Sequence, residues 1–196
     1  MADEDTMIAT PPPADTRSRI LDAALDVFSE HGFEGSTLQQ VADRLGFTKA
    51  ALYYHFRSKD DILGALVTPA NTGIEAMLDA HAGTPDTPAR RRRFMADYLD
   101  YLLRHRRLIA YISSDLATLA HPAMAGSRER RARMEAMVAG DDLDFADQVR
   151  VTIAFGGIQA AIARNPDADA AQLREALLAA ATPLLRPRRR KGSLGD

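Results

Sequence analysis

The chain has 196 residues, 46% of them hydrophobic and 27% charged, with a formal net charge of −2. That length fits one small module plus one further domain, and that charge excludes a protein that coats nucleic acid by bulk positive potential. Cysteine is absent, which excludes disulfides and thiolate metal sites. Alanine and leucine dominate, β-branched residues are sparse and Trp is missing, so the composition predicts an all-α protein. No apolar run approaches the roughly 18 residues of a membrane helix, and the acidic N-terminus lacks the apolar core of a signal peptide. The expectation is a cytoplasmic protein with no membrane association.

Residues 1–15 include Pro11, Pro12 and Pro13 among small and acidic residues, the composition of a disordered tail. A first helix is predicted from about Thr16 to Glu30, burying Ile20, Ala24, Val27 and Phe28 and ending at His31-Gly32, with Phe33 packing back. Leu38, Val41, Ala42 and Leu45 then fall at i, i+3, i+4 and i+7, the stripe of a short amphipathic helix. Thr37 precedes it and Gln40 lies three residues after Thr37, which is a capping box. Gly46 stands where a left-handed residue stops a helix. Thr48 caps a third helix, of which Leu52 and Phe56 point inward. Small Ala42 lets the two axes cross closely. A short helix, a glycine turn and a second helix form the helix-turn-helix unit that lays its second helix in a DNA major groove.

Ser58 and Asp61 predict the start of a fourth helix with Ile62, Leu63, Leu66 and Val67 on its apolar face. Pro69 lies inside this pattern and predicts a kink or an end near Thr68, with a two-part connector reaching about Ala82. Further helices are predicted over Ala89–Arg104, Leu108–Leu119, Met124–Val138, Phe145–Ala163 and Ala168–Leu185. Gly140-Asp141-Asp142 reads as a turn. Residues 186–196 form a basic tail, predicted to be disordered. The domains are thus 16–62, a helix-turn-helix module, and 63–185, a helical domain.

Within 16–62, six basic residues (Arg17, Arg19, Arg44, Lys49, Arg57, Lys59) face seven acidic ones (Asp22, Asp26, Glu30, Glu34, Asp43, Asp60, Asp61). DNA binding by this module must therefore rest on local contacts rather than on net charge.

The run ILDAALDVFSEHGFEGSTLQQVADRLGFTKAALYYHFRSKDDIL resembles the DNA-binding domain of TetR-family transcriptional regulators. The carriers are the amphipathic first helix with its Gly-aromatic end, Thr37, the Ala42/Gly46 core, the block Leu52-Tyr53-Tyr54-His55-Phe56, and Lys59 before an apolar helix. The resemblance implies a homodimer with an N-terminal three-helix DNA-binding domain and a larger C-terminal domain that holds a ligand pocket. It further implies that the last two long helices, Phe145–Ala163 and Ala168–Leu185, build the dimer interface. The function it implies is repression, with release from a palindromic double-stranded operator by a small molecule. Control by a protein partner, or activation, stays open as an alternative.

Candidate DNA contacts follow. Thr37 offers a hydroxyl and helix N-terminal amides to a phosphate, and Gln39 reaches a base edge by analogy with the family. On the third helix Thr48, Lys49, Ala51, Tyr53 and His55 form the exposed set. Lys49 suits guanine, and Ala51 or Tyr53 a thymine methyl. Tyr54 and His55 resemble the family's phosphate-contacting pair, and Lys59 its phosphate-contacting lysine.

In the second domain Met95, Tyr98, Tyr101, Tyr111, Asp115, Met134 and Phe155 mix apolar walls with a few polar groups, the make-up of a small-molecule site; the same residues also suit a plain core. His81, His105 and His121 are scattered over three segments without metal-ligand spacing, so no metal or cofactor is expected. No catalytic motif stands out, and the reading is not an enzyme. Gly156-Gly157 with Ala160 and Ala161 predict a close helix–helix approach, and Val149, Ile153, Ile158 and Ile162 supply its bulk.

Overall fold

The computed structural model describes residues 13–140 and 143–185, with side chains from residue 16. The basic tail, most of the N-terminal tail, and Asp141-Asp142 of the expected turn lie outside the described residues. Every regular element among the described residues is helical: α1 (Pro13–Gly35), α2 (Leu38–Leu45), α3 (Lys49–His55), α4 (Lys59–His81), α5 (Pro88–Arg104), α6 (Arg106–Ser114), α7 (Leu116–Ala120), α8 (Ser127–Ala139), α9 (Phe145–Arg164) and α10 (Ala170–Leu184), with a 3-10 turn at Pro122–Met124. The chain divides into two compact units, the first ending at Leu66 and the second starting at Val67. That boundary falls four residues beyond the one read from the sequence.

The N-terminal unit buries Ile20, Ala24, Val27, Phe28 and Phe33 of α1, Val41 and Ala42 of α2, Leu52 and Phe56 at α3, and Ile62 and Leu63 of α4. This is the stripe that helical spacing predicts. Helix α1 starts at Pro13, three residues before the expected Thr16. It leaves helical geometry at Gly32 (φ 72°) before one more turn to Gly35, so the predicted break is present.

Helix α4 corrects the reading of Pro69. The helix runs from Lys59 to His81 with Pro69 inside it. Proline removes one i→i−4 hydrogen bond and costs about 3 kcal/mol in a helix interior. Here the ring sits on the exposed side, while Val67, Ala70 and Leu78 are buried. Burial of those side chains, at roughly 1.5–3 kcal/mol each for the larger ones, outweighs the lost bond.

In the C-terminal unit α5 packs on α8, α9 and α10, and α9 also packs on α6, α8 and α10. Phe94, Met95, Tyr98, Leu99, Leu102, Met134, Val138, Phe155, Ile158 and Ile162 form its core. The single helix expected over Leu108–Leu119 is two. Asp115 leaves helical geometry (φ −113°, ψ 103°), and its carboxylate accepts from the Ala117 and Thr118 N–H groups at 2.9 and 3.3 Å. An aspartate that caps a new helix ends the old one. The next turn is capped likewise, by His121 Nδ1 accepting from the Ala123 N–H at 3.0 Å.

Candidate nucleic-acid interface

Helices α2 and α3 are defined at three of their four ends by local chemistry. Thr37 Oγ1 accepts from the Gln40 N–H (3.3 Å), and the Gln40 side-chain oxygen accepts from the Thr37 N–H (2.8 Å). At the other end Gly46 adopts φ 68°, ψ 24°. Its N–H donates to Asp43 O at 3.2 Å, and the Phe47 N–H donates to Ala42 O at 2.9 Å. These two bonds make a Schellman turn. Thr48 Oγ1 then accepts from the Ala51 N–H at 3.2 Å and starts α3. An added Cβ at Gly46 meets no atom within 4 Å, so only the backbone conformation demands glycine. Gly46→Ala is expected to destabilise the chain by about 1–2 kcal/mol, measured as a lower urea midpoint at unchanged slope.

Ala42 is completely buried, as a close α2–α3 packing requires. Leu52 and Phe56 anchor α3 from inside, at 0% and 3% exposure, whereas Tyr54 is 87% exposed and Tyr53 43%. Thr48, Lys49 and Ala51 are exposed with them, as is Ala50, and His55 is half-buried. The ring of Tyr54 stands edge-on to His55 at 5.3 Å, and the Lys49 ammonium lies 5.7 Å from the Tyr53 ring centre. One face of α3 thus offers a cation, hydroxyls and aromatic edges to solvent, and none of the described residues of its unit folds over it.

Other candidate contacts carry local bonds of their own. The Gln39 amide donates to Asp43 at 2.6 Å, so a base contact requires it to turn away. Lys59 departs most from the expectation. Its ammonium donates to the carbonyl oxygens of Phe33 (2.7 Å), Glu34 (3.2 Å) and Ser36 (3.4 Å) and stacks 4.6 Å from the Phe33 ring centre. A lysine has three donors, and all three are taken up by the end of α1. A cation at the start of α4 is poorly placed for that helix's dipole, but it is well placed for the C-terminal carbonyls of α1.

Sequence reasoning missed the residues that hold α1 against the other two helices. The Arg17 guanidinium lies 4.2 Å over the Phe56 ring, and Arg17 donates to His55 O at 3.5 Å. Arg19 lies 5.5 Å from the Phe47 ring centre. Arg44 makes a two-pronged bond to Glu30 at 2.7 and 2.5 Å, and it holds the Glu30 carboxyl below its ordinary range. These pairs are separated by 14 to 39 positions, so no local spacing signals them.

In the C-terminal unit, a cavity of about 630 Å³ is lined by Tyr98, Tyr101, Met134 and Phe155 among others. Four of the seven residues expected at a ligand site therefore meet. The other three do not line it. Met95 lines a separate cleft with Arg92 and Leu178. The Tyr111 hydroxyl bonds to Thr118 (2.5 Å) and Asp115 (3.3 Å), so both Tyr111 and Asp115 are committed to the α6–α7 corner. Burial pushes the Tyr98 phenol up to about 12, against a weak bond from Gln159 at 3.5 Å; it remains a neutral donor at physiological pH. His81 Nε2 lies 2.8 Å from Asp97, and no group of three metal-ligating side chains comes together among the described residues. No described helix is long and apolar enough to cross a membrane.

The model of bacterial regulatory proteins of the tetR family matches residues 20–66. The chain is 41% identical over 61 residues to the transcriptional regulator SrpR of Pseudomonas putida, covering 31% of this chain and 29% of SrpR. It is 46% identical over 46 residues to IcaR of Staphylococcus aureus (strain Newman), a negative transcriptional regulator of the biofilm operon icaADBC, covering 24% of this chain and 25% of IcaR. The match thus spans less than a third of either relative. Over nearly the whole length the fold is similar to that of SCO3833, a TetR-family member from Streptomyces coelicolor, with a TM-score of 0.67 at 20% identity, covering 87% of this chain and 91% of that one. The capped α2–turn–α3 unit lies inside residues 20–66, the segment that is similar to the tetR family of bacterial regulatory proteins.

Proposed function

We propose that this protein is a dimeric, sequence-specific DNA-binding transcriptional repressor, released from a palindromic operator by a small molecule that enters the C-terminal cavity. The exposed face of α3 carries the reading: Leu52 and Phe56 lock the helix from behind while Thr48, Lys49, Ala51, Tyr53 and Tyr54 remain accessible. Phosphate contacts from Thr37, Tyr54 and His55 set the register, and Lys49 with its neighbours reads base edges. Lys59 acts instead as a brace between α4 and the end of α1. The similarity of this segment to IcaR, a negative transcriptional regulator, supports repression.

A second copy is required because palindromic half-sites place two recognition helices about 34–36 Å apart. Helix α9 supports pairing. Phe145, Val149 and Ile153, spaced four apart on one face, are 81%, 41% and 55% exposed. Ile158 and Ile162, expected to join them, are buried in the protomer core instead. An added Cβ at Gly156 or Gly157 meets nothing within 4 Å. Gly156 lines the C-terminal cavity, whereas Gly157 is exposed and uncrowded among the described residues, so a close approach of another chain would fall at Gly157. A ligand that favours a dimer with different helix spacing lowers DNA affinity by its differential affinity for that state.

Fragments of genomic DNA captured by the purified chain would give the operator. On it, Lys49→Ala is expected to relax discrimination at one base step by about 1–3 kcal/mol and to leave the other steps unchanged. Uniform weakening over all sequences would make Lys49 a phosphate contact.

A further inference from the structure

The cavity in the C-terminal unit has an uneven charge. Its walls are apolar: Ile74, Ile109, Met124, Met134 and Phe155 line it. Its polar lining includes Arg128, Arg130, Arg131 and Arg164, while no aspartate or glutamate lines it among the described residues. Elsewhere in this unit arginines pair with acids: Arg91 with Asp86, Arg133 with Glu75 and Arg174 with Asp100. Arg131 also has an acid, Glu135 at 2.8 Å, behind the lining.

Arg130 differs. Its half-buried guanidinium is held by two neutral acceptors, Asn71 Oδ1 at 2.9 Å and the Ala125 carbonyl at 3.2 Å. Among the described residues those bonds fix its position and leave its charge uncompensated, with two of the five N–H donors used. A guanidinium fixed at the edge of an apolar chamber favours an anion in that chamber, since the attraction grows as water is excluded. A cation would meet four like charges and no carboxylate.

We propose that the ligand of this cavity is an amphipathic anion, with its apolar chain against Ile74, Met134 and Phe155 and its carboxylate or phosphate head on Arg130, aided by Arg128 and Arg164. This rests on the reading of the C-terminal unit as a ligand-binding domain. The volume of about 630 Å³ lies inside the usual range for ligand sites, roughly 300–1,000 Å³.

The test compares four probes with one apolar chain on the full-length protein by titration calorimetry: dodecanoate, dodecyl phosphate, 1-dodecanol and dodecyltrimethylammonium. One or both anions are expected to bind at least tenfold tighter than the alcohol, and the cation weaker still. Arg130→Gln is expected to cost the anion about tenfold and leave the alcohol unchanged. Because Arg130 also holds Asn71, the paired surface variant Arg128→Gln/Arg164→Gln provides a second comparison, with a smaller loss for the anion alone. Equal binding of anion and alcohol, preference for the cation, or no binding by any probe would overturn the proposal. Operator affinity is measured separately with and without the bound anion. If the anion binds and DNA affinity does not move, the ligand class stands and the release mechanism falls.

Discussion

Leu52→Ala is expected to destabilise the N-terminal unit by about 2–5 kcal/mol, the range for truncating a fully buried leucine, and to remove operator binding with it. Leu52 has no exposed surface and is the inward residue of a helix only seven residues long. Such a helix is far below the length that holds itself in water, so its position depends on Leu52 and Phe56. The variant retains every side chain of the proposed reading face, which separates positioning from contact. Denaturant melts should show a large fall in midpoint for the unit, and duplex titrations should show lost affinity even at low salt. Full operator affinity in a protein with the lowered midpoint would mean that α3 does not read DNA.

Lys59→Ala is expected to cost about 2 kcal/mol, because hydrogen bonds to a charged group contribute roughly 1.5–3 kcal/mol and three carbonyls lose their donor at once. The same variant decides a question that the family pattern raises. If the ammonium is committed to the end of α1, the slope of log affinity against log salt stays as in the parent. A phosphate contact would flatten it by about one unit. A stable Lys59→Ala protein with a flattened slope would return Lys59 to the DNA-contacting set.

The legibility of the chain follows the range of the interactions. Thr37 with Gln40, Gly46 and Thr48 act over three or four residues, so the boundaries of α2 and α3 were readable in the sequence and stand in the structure. Asp115 is also a local signal, an aspartate three residues before Thr118, but apolar periodicity continues across it and hides the break. Pro69 misled in the opposite sense. Its rule is local, while the burial of Val67, Ala70 and Leu78 that overrides it is tertiary. The partners of Lys59, Arg17 and Arg44 are distant in the chain and carried no sequence signal. In the second unit the residue types suited a pocket and a core equally. Tyr111 and Asp115 went to a corner and Tyr98 and Phe155 to the cavity for reasons of three-dimensional packing.

The central claim is that two copies of the α3 face read a symmetric site. Its most direct measurement is the stoichiometry and selectivity of binding to a captured palindromic duplex at moderate salt, by sedimentation of labelled DNA with protein. The account predicts two chains per duplex and an affinity at least about a thousandfold above that for random DNA. A monomer that binds every duplex equally, or none, would contradict it.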